Sequence, residues 1–225
     1  DFLASWHSVG YTDVVTLLPN RQRLLKDIEV SAVSAFRLVI IDCIDMPFAY
    51  EMARSLGMIA VENLLRDMTA QLQARLPLAG QLYAVAVGRF AFLTPEPTVL
   101  SLENIAQNLQ GTQARIGPEV PLDLDIHMGD SGLCDSTLTP NEILRRAVSA
   151  LHEAISQGHR FTTYNDALDT RKKRDFSLLT ELRQTLQGNQ GLYLVYQPKI
   201  SLATGRVTGA EALVRWKHPT NGEVL

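Results

Sequence analysis

The chain has 225 residues, 46% of them hydrophobic and 20% charged. That supports one ample core plus a second, smaller unit, and excludes bulk disorder. The net charge of −3 supplies no basic face of the kind nucleic-acid binders carry, and no apolar run approaches the roughly 18 residues of a membrane span. The sequence starts at Asp1 with no charged-then-apolar leader, so a fragment is expected. Its two cysteines, Cys43 and Cys134, either pair or, as fits a chain with this core better, are free thiols in a reducing cytosol.

In chain order, Leu17-Leu18-Pro19-Asn20-Arg21 stops one segment and opens a helix with Leu24, Leu25 and Ile28 inward. Phe36–Ile44 reads as a buried strand ending at Asp42 and Asp45. Pro47 suits the first turn of a helix running to Leu56 and stopped by Gly57. Val61, Leu64, Leu65, Met68 and Leu72 recur at helical spacing in the next helix, which Pro77 ends. Met52, Met58 and Met68 read as core gap-fillers.

Two apolar runs, Leu82–Val87 and Phe90–Thr94, flank Gly88-Arg89 and predict a tight hairpin in the middle of a sheet, covered by helices on both faces. Ser101 is placed as the cap of a helix burying Leu102, Ile105 and Leu109 and closed by Gly111. Leu122–Ile126 alternates as a half-exposed strand does. Thr139-Pro140-Asn141-Glu142 is a capping box opening a helix that buries Ile143, Leu144, Ala147, Val148 and Leu151 and ends at Gly158. Phe161–Tyr164 is a short strand. This order predicts an α/β domain with a central mixed sheet flanked by helices over residues 10–165. A polar helix, Asp166–Leu186, carries the boundary and is broken by Gly188–Gly191. Within it, Arg171–Arg174 is either a solvated face or an anion-binding patch. Two further strands, Leu192–Gln197 and Val207–Trp216, join through Thr204-Gly205.

Tyr196-Gln197-Pro198, Thr204-Gly205, Gly209-Ala210-Glu211-Ala212-Leu213-Val214-Arg215-Trp216 and His218-Pro219 together resemble the opening of an EAL domain, a TIM-barrel-like phosphodiesterase that linearises cyclic di-GMP. The resemblance places a linker helix at 166–190 and the first hairpin of that barrel at 191–225. It implies Glu211 as a catalytic, metal-ligating carboxylate for Mg²⁺ or Mn²⁺, and Gln197 and Arg215 as contacts to the dinucleotide. Such a metal polarises a phosphodiester and activates water. The other ligands and most of the barrel would lie beyond Leu225, so no hydrolase activity is expected of the chain alone.

With that neighbour, the first domain is similar to a GGDEF domain, the diguanylate cyclase fold. Thr16-Leu17-Leu18-Pro19-Asn20-Arg21 matches the family's Thr-Gly-Leu-Pro-Asn-Arg approach to its first helix, and Ala147–Gly158 its late helix. The five signature positions fall on Ala86, Val87, Gly88, Arg89 and Phe90, where both acids and two phosphate-facing glycines are replaced. Asp45 falls at the first-strand metal acid if no gap is allowed, and Glu62 at a base-reading acid. Ala53 replaces its Asn partner, Ile155 a phosphate-facing Lys and His159 an Arg. The product-inhibition motif is missing from Pro77–Gly80. A cyclase needs clustered carboxylates to hold two Mg²⁺ against a triphosphate, so neither metal nor cyclase activity is expected in this domain.

From the residues alone, Asp42 and Asp45 are either ordinary strand-end acids or ligands, and Arg89 is either a solvated turn residue or a metal-free phosphate holder. Gly129-Asp130-Ser131-Gly132 has no His and Asp partners for nucleophilic chemistry, and His127, His152 and His159 lack metal-ligand spacing. The expectation is a cytoplasmic bacterial cyclic di-GMP signalling protein, a homodimer with an upstream sensor and a possible membrane tether outside this chain. Its degenerate GGDEF domain would regulate an EAL phosphodiesterase. The alternative is a non-catalytic cyclic di-GMP receptor with both domains degenerate.

Overall fold

The computed structural model describes residues 10–31, 35–76, 81–95, 99–117, 120–134, 137–188, 191–218 and 222–224. The chain divides into two compact units, Asp1–Asn165 and Asp166–Leu225. The first is α/β, as its element order predicts. Helix α1 (Arg21–Ser31) precedes strand β1 (Arg37–Asp42), helices α2 (Met46–Leu56) and α3 (Met58–Arg75), and the hairpin β2 (Leu82–Ala86) and β3 (Arg89–Thr94). Then come α4 (Val99–Asn108), β4 (Gln113–Arg115), β5 (Pro121–Asp123), β6 (His127–Asp130), α5 (Pro140–Gln157) and β7 (Phe161–Thr163). The main sheet has the order β2-β3-β1-β6-β7. Every neighbouring pair in it is antiparallel except β6 and β7.

Strand β1 explains why the sheet is covered on both faces. Its period of two sends Val39 and Ile41 one way and Leu38 and Ile40 the other, and all four are fully buried. On the first face they join Phe90, Phe92 and Met128 and the α3 stripe Val61, Leu64, Met68 and Leu72. On the second they meet Leu24 and Ile28 of α1 and Ile143, Leu144, Ala147 and Leu151 of α5. Burying each of the larger side chains among these contributes roughly 1.5–3 kcal/mol. Cys43 and Cys134 belong to different faces and are free thiols. The expected helix start forms, with half of the capping box in place: Thr139 Oγ1 accepts from Glu142 N at 3.2 Å, while the Glu142 carboxylate is taken by Arg145 and Arg146, and Gly158 closes α5 at φ 67°. Asn20 caps α1, its Oδ1 accepting from the N–H groups of Gln22 and Arg23.

Several expectations are corrected. The hairpin is not central: β2 is the sheet edge, and only β3 is flanked on both sides. Its two-residue turn is Val87-Gly88, with Arg89 already paired in β3, because Gly88 supplies the positive φ of 70°. The strand expected at Leu122–Ile126 contributes only Leu122 and Asp123, in a two-stranded ribbon with β4. The fourth main-sheet strand is instead the fully buried His127–Asp130. Polar residues at both of its ends masked it, and Gly129 is there because a Cβ would lie 2.2 Å from Leu151 N of α5. Ser101 sits inside α4 rather than capping it. Met52 and Met68 are buried, but Met58 is exposed at the start of α3. The strand expected at Phe36–Ile44 stops at Asp42. Pro77–Gly80 lies outside the described residues.

In the second unit, helix α6 (Asp166–Gly188) leads to a long antiparallel hairpin, β8 (Leu192–Ile200) and β9 (Val207–His218), with β10 (Gly222–Val224) alongside β9. Its packed corner is Trp216 and His218, both buried, with the His218 ring set edge-on to the indole at 4.6 Å and its Nε2 2.7 Å from Glu181 Oε2 on α6. Arg171–Arg174 is exposed, with Lys173 Nζ 3.0 Å from Asp169 Oδ2. No helix among the described residues is long and apolar enough to cross a membrane.

Candidate functional site

The hairpin apex holds Ala86, Val87, Gly88, Arg89 and Phe90, with Ala86 opposite Arg89. Gly88 is tightly enclosed. Its carbonyl accepts from Cys43 N at 2.9 Å, and a Cβ on it would lie 2.4 Å from Ile44 Cγ1. Phe90 is buried in the first core face and Val87 is exposed. The ladder places Arg89 of β3, Asp42 of β1 and His127 of β6 in one row across the sheet. Directly opposed residues of antiparallel strands share a face, so these three side chains line up together. Arg89 Nε donates to Asp42 Oδ1 at 2.5 Å, and the Asp42 side chain is only 8% exposed. The acid at the end of the first strand is therefore Asp42, neutralised across the ladder.

Asp45 lies beyond the strand and serves a different end. Its Oδ1 accepts from Phe48 N at 2.8 Å, capping α2. His127 Nδ1 is 2.7 Å from the carbonyl of His159 and Nε2 is 3.4 Å from Asp125 Oδ2, an arrangement that satisfies the ring locally. Arg160 hydrogen-bonds Asp125 and, with a smaller contribution from His127, holds that carboxyl below its ordinary range. Burial pushes the Cys43 thiol up, which keeps it protonated and inert.

A cleft of about 380 Å³ runs beside this row, lined by Asp42, Asp45, Phe48, His127 and Ile155 among others. A second, of about 660 Å³, lies along Ala86, Val87 and Phe90 and reaches Glu62. There Glu62 is engaged by Arg66, whose Nη2 is 3.1 Å from Glu62 Oε2 while its Nε donates to the Val15 carbonyl at 3.2 Å. Thus Asp42, Asp45 and Glu62 each have a structural partner. The Asp42–Arg89 pairing was not legible in the residues, although alternation along β1 puts Asp42 on the face of Leu38 and Ile40.

In the second unit, Gln197 of β8 is directly opposite Glu211 of β9, and Tyr193 is opposite Arg215. Even spacing puts Gln197, Glu211 and Arg215 on one face of the hairpin. Glu211 is exposed, with Lys199 Nζ 3.5 Å from its Oε2, a neighbour that no local pattern in the sequence marks. A hard divalent cation takes about six oxygen ligands. These strands offer one carboxylate beside an ammonium, and no group of three or more candidate ligands occurs among the described residues. These residues do not by themselves fit Mg²⁺ or Mn²⁺.

Comparison with known proteins adds the following. Residues 179–225 match the family profile described as EAL domain, a match that begins inside α6. The cyclic di-GMP phosphodiesterase PA2567 of Pseudomonas aeruginosa is 34% identical over 224 residues, which is 96% of this chain and 38% of that protein. The chain thus spans well under half of that curated relative. The crystal structure of the GGDEF domain of the same protein superposes with a TM-score of 0.56 at 24% identity, over 65% of this chain and 94% of that one. The helix-GGDEF-EAL segment of LapD from Vibrio cholerae, solved bound to cyclic di-GMP, aligns with 97% of this chain and 52% of its own, at a TM-score of 0.57 and 16% identity.

Proposed function

With a unit of the GGDEF fold followed by an EAL-domain match at residues 179–225, we propose that this chain is part of a cyclic di-GMP signalling protein whose GGDEF-like unit is not a cyclase and regulates or dimerises an EAL phosphodiesterase. In this reading residues 10–165 are the degenerate GGDEF domain, 166–190 the connecting helix and 191–225 the start of the EAL domain.

The observation that carries the reading is the Arg89–Asp42 pair at 2.5 Å. Two dications on a triphosphate need clustered carboxylates with open lone pairs. At this apex the strand-end acid is already paired with a guanidinium, and Ala86 and Val87 put side chains where a phosphate would approach the backbone. The opposite holds on the β8–β9 face. There Glu211 is solvent-facing, Gln197 offers an amide across the ladder, and Arg215 offers a planar fork suited to a phosphodiester. Glu211 is then one metal ligand of the complete EAL domain, and Gln197 and Arg215 contact the dinucleotide.

The test uses the longer protein with its whole EAL domain. Supplied with cyclic di-GMP and Mg²⁺, it yields the linear dinucleotide, and Glu211→Ala lowers the rate by more than about a hundredfold. Supplied with GTP and Mg²⁺, it yields no cyclic product. Turnover by Glu211→Ala equal to wild type overturns the phosphodiesterase assignment, as does saturable binding of cyclic di-GMP without opening, which is the behaviour of a receptor. Cyclic product from GTP overturns the assignment of the first unit.

A further inference from the structure

A third cleft in the first unit, of about 330 Å³, is lined by three arginines, Arg21, Arg89 and Arg145, together with Asn141. Its floor is apolar, made by Ile40, Val85 and Leu144. We propose that this cleft binds an organic phosphate without a metal ion, the phosphate held by the arginines and an apolar body resting on the floor.

The charge balance around the cleft favours an anion. Asp42 takes Nε of Arg89. Glu142 is shared between two arginines, with Arg145 donating from Nε and Nη2 at 2.8 Å each and Arg146 from Nε at 3.3 Å. Two carboxylates are thus set against the three arginines that line the cleft, with Arg146 outside it sharing Glu142, in a chain whose overall charge is −3. The cleft also sits where α1 and α5 begin, since Arg21 is the first residue of α1 and Asn141 the second of α5. Asn20 and Thr139 already cap those ends, so the helices contribute their positive field rather than free N–H groups. Arginine is the side chain whose fork matches phosphate oxygens. The volume is at the lower end of small-molecule sites, which suits a mononucleotide-sized phosphate.

This site is independent of the phosphodiesterase reading, because no EAL residue takes part. The test titrates inorganic phosphate and guanosine 5′-monophosphate into the 225-residue chain in EDTA, following backbone amide shifts by NMR. Saturable shifts at Arg21, Val85 and Arg145, with the mononucleotide binding more tightly than phosphate, are expected. Arg21→Ala, an exposed change that leaves the fold intact, weakens binding about tenfold. Arg89→Lys, which keeps the charge but loses the fork, weakens it by a similar factor. No saturable shift, shifts confined to the Glu62 cleft, a requirement for Mg²⁺, or unchanged affinity in both variants each overturns the proposal.

Discussion

Each unit sets a carboxylate beside a β-hairpin, and the two acids live in opposite circumstances. Asp42 is 8% exposed and bound by Arg89 at 2.5 Å, whereas Glu211 is 54% exposed with a lysine ammonium at 3.5 Å. The first pair is a cross-strand contact inside a covered sheet, where attraction is weakly screened and losing a partner is costly. The second lies in solvent, where water screens the attraction and the carboxylate stays available. An acid at a strand end therefore says little until its register partner is known.

The turns of the two hairpins give the largest expected contrast. Gly88 and Gly205 have nearly the same φ, 70° and 66°, but a Cβ on Gly88 meets Ile44 Cγ1 at 2.4 Å and one on Gly205 meets nothing within 4 Å. Both alanine variants carry the left-handed strain of about 1–2 kcal/mol, and Gly88→Ala adds the overpacking, for a total near 3 kcal/mol. Chemical denaturation of the first unit and hydrogen exchange across β8–β9 read the two costs. Equal losses would mean the apex is looser than its packing indicates.

The ion pairs come next. Arg89→Ala strands the Asp42 carboxylate and is expected to cost about 2 kcal/mol, below the fully buried case because the Arg89 side chain is 28% exposed. Adding Asp42→Asn recovers most of the loss, and the double-mutant cycle measures the coupling. Lys199→Ala beside Glu211 should shift stability by less than about 0.5 kcal/mol. If Arg89→Ala is equally mild, Asp42 is not neutralised by that contact.

A smaller, stabilising change comes from the turn before α1. Leu17 adopts φ 60° and is 76% exposed, in a turn held by Asp13 Oδ1 accepting from Thr16 N at 2.8 Å. Glycine adopts that φ without strain. Leu17→Gly should raise the stability of the first unit by about 1 kcal/mol, seen as a shift in the denaturation midpoint. The second unit should not respond.

What the sequence made legible follows from which forces are local. The α5 start could be read because Thr139, Pro140 and Glu142 carry their own capping chemistry, and the α3 stripe because burial repeats at helical spacing. Strand β6 could not be read. Its four residues, His127, Met128, Gly129 and Asp130, are buried through long-range partners, and Asp130 is accommodated because Arg37 Nη1 lies 2.5 Å from its Oδ2 while Gly132 N donates to its Oδ1 at 3.2 Å. The edge position of β2 is likewise a property of strand order, which composition does not encode. At the candidate sites, Gln197, Glu211 and Arg215 were singled out only by the resemblance to an EAL domain, and the even spacing within β9 puts two of them on one face. The tie from Asp42 to Arg89 joins residues far apart in sequence, and nothing local marks it.

The smallest effects separate the units by pH. In the first, Glu142 is held down to about 2, chiefly by its hydrogen bond from Arg145 with Arg146 adding to it. In the second, Ser177 and then His218 lower Glu181. A carboxyl with a depressed folded-state pKa binds its proton more weakly folded than unfolded, so its contribution is full above the unfolded value near 4.5 and is lost as pH falls toward the folded value. Glu142→Gln should therefore flatten the acid side of the stability curve of the first unit between about pH 4.5 and 2, by less than about 1 kcal/mol since the side chain is a third exposed. Glu181→Gln should leave that curve unchanged and act only on the exchange rates of β9 amides near His218. If instead Glu142→Gln changes nothing as the pH is lowered, the two arginines do not hold the Glu142 carboxyl down.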